Sequence, residues 1–364
     1  MATTTTTTTF DETQHRIAVD QKQLPPFPED LTTAPLLRIS LAKLLAKDKE
    51  EIQRFERACE ELGFFYLDLR GSGDDLLIQA DELFGVSQEV FDLPPEEKLK
   101  YDFEHLKVYY GYKRLGASVV DQNGNLDRNE FYNISKDDIL EIGQSWPSPK
   151  VIHSQRALIR SFITSADAVV TLLLELLNEQ LGLPHGTLAS MHRLQEPSGN
   201  QVRMIKALPQ EIDEGTMSAR EHTDFGSVTV LFNRLGGLQI LPPVGDWCYV
   251  KPLPGHAIIN LGDAMVKFSN GLLRSNIHRV VSPPGAQARS TRYSLVYFSR
   301  PEDNVVLRRL ANGTRIPPLE DGVEEEQITS KEWIAKRALR PRTAIYGKDA
   351  VCAADGTETI SRRQ

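Results

Sequence analysis

"EHTDFGSVTVLF", residues 221–232, opens with a histidine and an aspartate one residue apart, then runs into alternating apolar positions. Side chains two apart on an extended strand point to the same face, so His222 and Asp224 can hold one object between them. The surrounding segment, residues 200–300, is made of short β-type runs separated by turn signals: "LGG" (235–237), "LPPVGD" (241–246), "LPGH" (253–256), "NG" (270–271) and "SPPGA" (282–286). Strands at such spacing predict a sandwich or barrel.

Outside this β core the texture is helical. A short apolar strand is expected in "PLLRISL" (35–41). After it, "KDKEEIQRFERACEELGFFYLDL" (47–69) sets Ile52, Phe55, Ala58, Cys59 and Leu62 at helical spacing and ends the helix at Gly63, a C-cap signal; the β-rich run after that glycine makes this a β-α-β opening. Further helices are expected over "DDLLIQADELFGVSQEVFDL" (74–93) and from the prolines of "PPEEKLKY" (94–101). The clearest helix is 154–181, with Leu158, Phe162, Ala166, Val169, Leu173 and Leu176 on one stripe. Between these, residues 109–132 read as irregular loop and short strand. The tail "SKEWIAKRALRP" is expected to be helical up to Pro341. The division is therefore a flexible arm (1–33), a mainly helical N-terminal region (34–195), a β core (196–305) and a helical tail (306–364).

Composition limits the function classes. A net charge of −8 and a pI near 5.6 lack the basic footprint that nucleic-acid binding needs. Three widely spaced cysteines, Cys59, Cys248 and Cys352, make no disulfide framework and fit a reducing compartment. No apolar run is expected to reach the roughly 18 residues of a membrane span. The threonine tract that opens the chain has no secretory apolar region. A cytoplasmic protein without a membrane or nucleic-acid partner is the expectation.

Two ligands on one face need a third from elsewhere to bind a metal. His256 sits in a proline–glycine turn, whereas His278 sits in "RSNIHRVVS", a β-branched run after the turn at 269–271. His222, Asp224 and His278 would form the two-histidine, one-carboxylate facial set of non-haem Fe(II) oxygenases, which leaves positions open for a co-substrate and O₂. A lone H-x-D is weak, since chance supplies one in roughly a third of such chains. Weight comes from "RYS" (292–294), where Arg292 and Ser294 share a face with Val296 and Phe298. A buried guanidinium is costly without an anion, and its planar fork suits a carboxylate. A metal beside an arginine–serine clamp is a site for a dicarboxylate that chelates the metal at one end.

With H-T-D at 222–224, His278 and R-Y-S at 292–294, the chain resembles the 2-oxoglutarate- and Fe(II)-dependent dioxygenases, and within them the isopenicillin N synthase-like branch. The likeness extends to "GGLQILPP" (236–243), "INLGDAMVKFSNGLLRSNIHRVV" (259–281), "SLVYFSRPEDN" (294–304) and the N-terminal "ACEELGFFYL" (58–67). The resemblance implies a mixed α/β chain whose β-rich core is a distorted double-stranded β-helix, or jelly roll, flanked by helices. It implies Fe(II) on His222, Asp224 and His278, and the distal carboxylate of 2-oxoglutarate on Arg292 and Ser294. The threonine tract adds a likeness to fungal members of secondary metabolism.

One departure stands out. Many relatives carry Asn-Tyr-Tyr-Pro about twenty residues before the H-x-D, the second tyrosine helping to hold the co-substrate. Here the stretch is "RMIKALP" (203–209), with Ala207 in that place. Either another group holds the proximal carboxylate or the pocket is enlarged. On a strand, Ile205 and Ala207 share one face and Met204 and Lys206 the other, so Ala207 is expected to border the cavity and Lys206 to face away.

Tyr109, Tyr110 and Phe131, in a loop-rich segment of the kind that lines pockets, are candidate substrate contacts with Ala207 and Phe298, though aromatic residues there are as often plain core. The glycines of "NLGD" and "LGG" read as turn devices, Asp263 and His256 as supporting or structural residues, and Arg279 as facing away from the metal. The expected activity is oxidation of a small organic substrate, by hydroxylation, desaturation or cyclisation, with release of succinate and CO₂. The rivals are an isopenicillin N synthase-type oxidase that needs no 2-oxoglutarate and a non-catalytic small-molecule binder on the same fold.

Overall fold

The computed structural model describes residues 24–120, 124–210 and 217–338. Among these residues twelve strands form two sheets: β1 (Arg38–Ser40), β2 (Phe64–Asp68), β3 (Gly111–Lys113), β4 (Asn129–Ser135), β5 (Gln201–Ala207), β6 (Met217–His222), β7 (Val228–Asn233), β8 (Leu238–Ile240), β9 (Cys248–Tyr249), β10 (His256–Leu261), β11 (His278–Val281) and β12 (Arg292–Ser299). The major sheet runs β1-β2-β10-β7-β12-β5-β4-β3 and the minor sheet β6-β11-β8-β9. All pairings are antiparallel except β1 with β2. This is the expected helix-flanked jelly roll.

Alternation along the central strands explains why the sheet holds helices on one side and a site on the other. On β12, Leu295 and Tyr297 face the helical core, while Arg292, Ser294, Val296 and Phe298 face the interior of the roll. Val202 and Met204 of β5 do the former, and Gln201, Arg203, Ile205 and Ala207 the latter. On β2, Phe65 and Leu67 join the helical core, and Phe64 and Tyr66 join a smaller apolar cluster between the sheets with Leu238, Ile240 and Ile258. Both faces of the major sheet are thus covered.

The helices Asp74–Phe91 and Arg156–Gln180 supply much of the outer layer through residues such as Leu83, Val90, Phe162 and Leu173. By length and composition Arg156–Gln180 could cross a membrane, against the expectation that no run would. Half of its most apolar window is buried in the protein, where Ile159, Phe162 and Leu173 pack in the core, so its apolarity already has partners. The helix Lys49–Glu61 is capped by Asp48, whose Oδ1 accepts from the Glu51 amide at 2.9 Å. It stops at Gly63, at φ +64°, where any side chain would strike the Arg274 carbonyl.

Two divisions drawn from the sequence do not separate packed bodies. β1 to β4 come from the mainly helical region but form both edges of the major sheet. The described end of the arm is docked: Phe27 is buried, its ring 6.1 Å from that of Tyr249, and the Pro25 carbonyl accepts from Gln287 at 2.9 Å. The remainder of the arm, residues 1–23, lies outside the described residues. The tail expected to be helical from residue 306 is turns and irregular chain over 306–329 and helical over Ser330–Ala338; its expected continuation to Pro341 lies outside the described residues.

Candidate active site

β6 and β11 are neighbours in the minor sheet, and their register places His222 directly opposite His278. The imidazole centroids are 4.2 Å apart. Asp224 follows β6 and turns its carboxylate toward both rings: Oδ1 lies 4.0 Å from Nε2 of His222 and 3.9 Å from Nε2 of His278. One donor atom from each residue lies within 4.8 Å of the others, the only such histidine, cysteine and carboxylate group among the described residues.

The neighbours of these side chains leave the converging atoms free. Nδ1 of His222 lies 2.8 Å from the Arg220 carbonyl, and Nδ1 of His278 lies 3.2 Å from that of Asn276. A carbonyl only accepts, so each Nδ1 carries the proton and each Nε2 presents a lone pair. The second carboxylate oxygen of Asp224 accepts from Thr229 Oγ1 at 2.5 Å and Asn260 Nδ2 at 2.7 Å, which leaves Oδ1 for the shared point. Burial, helped by the neighbouring His278, pushes the His222 imidazole well below its ordinary range, so the ring is neutral. Burial would raise the Asp224 carboxyl, but the facing His278 and His222 and the two hydrogen bonds outweigh it and hold it ionised. Two imidazole Nε2 atoms and one carboxylate oxygen, oriented by hydrogen bonds on their other polar atoms, fit Fe(II).

Hydrogen bonds with Asp263 hold the loop that carries Asp224. Asp263, buried after β10, donates its amide to the Asp224 carbonyl at 2.8 Å, and its Oδ2 accepts from Thr223 Oγ1 at 3.1 Å and Arg337 at 3.0 Å. A side chain at Gly262 would collide with the Gly226 carbonyl, so the glycine of "NLGD" permits this close approach. Asp263 therefore supports the loop rather than joining the donor set, and burial pushes its carboxyl up to about 7.

Arg292 and Ser294 face the same cavity from β12. Arg292 is 4 % exposed, donates from Nε to the Gly236 carbonyl at 2.7 Å and from Nη1 to Ser294 Oγ at 2.6 Å, and makes no ion pair among the described residues. Burial pushes its guanidinium down to about 10. A cation desolvated to this degree beside a hydroxyl fits an anionic ligand group. Gly236 and Gly237 are more than a turn: with φ +102° at Gly237, the backbone comes close enough for its carbonyl to orient the arginine.

The cavity between the sheets has a volume of about 630 Å³. Tyr109, Phe131, Ala207 and Phe298 line it; Tyr110 does not, and turns behind the wall toward Trp146, 6.0 Å between ring centroids. Ala207 is opposite Arg292 in the β12–β5 register, so the missing tyrosine would reach the arginine end of the cavity rather than the histidine end. Lys206 faces outward to Asp92 at 3.3 Å. His256 lies away from the cavity, bonded to Arg38 and the Pro254 carbonyl, and Arg279 stacks on Trp247 at 4.1 Å. Sequence reasoning missed Thr229, Asn260, Gln201, Arg203 and Arg300. The available signal was a polar residue at an inward position of an apolar strand, as with Asn260 in "HAIINL" and Thr229 in "SVTVLF".

Residues 34–149 match the family described as the non-haem dioxygenase in morphine synthesis N-terminal domain, and residues 198–301 match the 2OG-Fe(II) oxygenase superfamily. A 2-oxoglutarate-dependent dioxygenase of Aspergillus fumigatus is 32 % identical, the alignment covering 85 % of this chain and 86 % of that protein. A second, frbH of Dothideomycetidae sp., is 34 % identical over 84 % of this chain and 90 % of that one. The fold is similar to that of full-length Neurospora crassa T7H in complex with alpha-KG and 5-formyluracil: TM-score 0.70, 24 % identity, 86 % of this chain and 97 % of that chain. JOX2 in complex with 2OG, Fe and JA gives a TM-score of 0.65 at 22 % identity, over 93 % and 96 % of the two chains. These relatives favour neither the oxidase that dispenses with 2-oxoglutarate nor the non-catalytic binder. The chain belongs to the 2-oxoglutarate-dependent, Fe(II) dioxygenases and is an enzyme that uses both to oxidise a small organic molecule.

Proposed function

We propose that His222, Asp224 and His278 hold the iron and that Arg292 and Ser294 hold the distal carboxylate of 2-oxoglutarate, with O₂ as the second co-substrate. The observation that carries this reading is the convergence of three donor atoms whose other polar atoms are already engaged. Bound there, iron with 2-oxoglutarate supplies the oxidising power for an unactivated C–H bond, releasing succinate and CO₂.

The residues of the chain do the rest. Thr229 and Asn260 fix the Asp224 carboxylate, the carbonyls of Arg220 and Asn276 fix the imidazole tautomers, and Arg292 orients the co-substrate. Phe64, Leu231, Leu238, Val280 and Val296 supply apolar walls that limit water around the reaction. The net charge of −8 supports a small molecule, not nucleic acid, as partner. The free, buried Cys59 and Cys248 support a reducing compartment such as the cytosol.

The test is iron content after anaerobic loading and gel filtration. Wild type should retain one Fe(II) per chain. His222→Ala and Asp224→Ala should retain almost none while keeping a wild-type circular dichroism spectrum; a variant that kept its iron would remove that residue from the donor set.

A further inference from the structure

Two cations on the cavity wall have carboxylate partners. Lys113 meets Asp127 at 2.5 Å, and Arg337 meets Asp263 at 3.0 Å. Arg300 differs. It is 3 % exposed, follows directly on β12, and makes no ion pair among the described residues. Its Nη1 donates to the Gly199 carbonyl, and its charge otherwise meets only rings: the guanidinium carbon is 5.2 Å from the centroid of Phe225, 5.5 Å from Phe298 and 5.6 Å from Tyr109.

The backbone is shaped to admit this side chain. A Cβ at Gly226 would lie 2.9 Å from Arg300 Cγ, and one at Gly199 3.2 Å from its Cδ. Rings orient a guanidinium through their quadrupoles but carry no net charge, so the positive charge stays uncompensated in a desolvated wall.

A second observation falls on the same wall. Gln201 is fully buried, lines the cavity and is the β5 partner of Phe298. Both of its amide atoms lack a hydrogen-bond partner. A buried primary amide left unsatisfied at both ends is rare in a native protein and points to a missing polar group. Nearby, Phe131, Val119, Val120 and Ile205 provide apolar surface.

We propose that Arg300 and Gln201 bind a carboxylate of the primary substrate, so that the enzyme selects organic acids with an apolar body. The proposal rests on the assignment of Arg292 to 2-oxoglutarate, which leaves Arg300 for a different anion. A charged hydrogen bond in such a wall sets a preference of roughly ten- to a hundredfold over an uncharged analogue.

The experiment uses the full chain under argon with Mn(II) and saturating 2-oxoglutarate, so that the Arg292 end is filled. Cinnamate, 1-naphthylacetate and their amides are titrated by calorimetry. Each acid should bind at least tenfold more tightly than its amide. Arg300→Gln should erase the difference, Gln201→Leu should reduce acid binding about tenfold, and Arg300→Lys should keep part of the preference. All three variants should bind 2-oxoglutarate with wild-type affinity. Equal binding of acid and amide, no acid with a Kd below about 1 mM, or an Arg300→Gln enzyme that keeps the preference would overturn the proposal. Failure of the wild-type protein to bind 2-oxoglutarate would instead strike the assignment of Arg292.

Discussion

Replacing Arg292 by leucine isolates the co-substrate clamp from the metal. The guanidinium has five N–H donors, of which Nε and Nη1 are engaged by Gly236 and Ser294. The remainder can meet a carboxylate in a two-bond fork. Charged hydrogen bonds contribute roughly 1.5–3 kcal/mol each, so two contribute about 3–6 kcal/mol, a factor of about 10² to 10⁴ in Kd. The protein without ligand should respond differently. Leucine leaves the Gly236 carbonyl unpaired, at a cost of roughly 1–3 kcal/mol, but removes a desolvated cation with no ion-pair partner among the described residues. The two effects oppose, so the apo melting temperature should move little.

The assay is a pair of measurements with Mn(II) under argon: calorimetric Kd for 2-oxoglutarate, and Tm with and without it. At a hundredfold excess over Kd a ligand adds about 2.7 kcal/mol of stability; wild type should show this rise and Arg292→Leu should not at the same concentration. Ser294→Ala should weaken 2-oxoglutarate about tenfold, the value of one ordinary hydrogen bond. An Arg292→Leu protein whose Kd stayed within threefold of wild type would refute the clamp.

Three further changes probe the surroundings. Asn260→Leu or Thr229→Val frees the second oxygen of Asp224 and should lower Fe(II) affinity roughly ten- to a hundredfold, read by competition with a colorimetric chelator; unchanged affinity would mean that the carboxylate needs no such support. Ala207→Tyr should fill the arginine end of the cavity, keeping or tightening 2-oxoglutarate while slowing turnover, whereas Lys206→Met should do little; the reverse pattern would contradict the β5 register. Asp167, buried on the helix Arg156–Gln180, has its carboxyl pushed up to about 6 by burial, against which the Tyr297 hydroxyl works. A raised carboxyl favours the folded state when protonated, so its contribution is full below about pH 4 and is lost as pH rises through 6, roughly 3 kcal/mol in all. Asp167→Asn should therefore flatten that loss and stabilise the protein at pH 8, and denaturant melts showing no such gain would contradict the assignment.

The site was largely legible because its geometry is local. Period-two alternation puts Arg292 and Ser294 of β12 on one face, and the same spacing brings His222 and Asp224 together although Asp224 lies just past the end of β6, in a loop that Asp263 holds. The facing of His222 by His278 depends on strand register, which spacing along the chain does not give. The same limit hid Asn260 and Thr229, whose purpose appears only where β10 and β7 run side by side. The opening strands β1 and β2 are legible as apolar runs on either side of a helix, whereas β3 and the start of β4 lie in the loop-rich stretch 109–132, and the sheet that recruits all four is built by residues far along the chain. Tyr109 and Tyr110 could not be told apart by composition. Only the packing of Trp146 shows why one faces the cavity and its neighbour does not.

The central claim is that one cation sits where Nε2 of His222, Oδ1 of Asp224 and Nε2 of His278 converge. A crystal grown anaerobically with Fe(II) and 2-oxoglutarate, with anomalous data collected on both sides of the iron edge, measures this directly. The account predicts a single iron peak bonded to those three atoms, with a carboxylate of 2-oxoglutarate against Arg292 and Ser294. An iron peak elsewhere, or a donor set lacking any of the three, would contradict it.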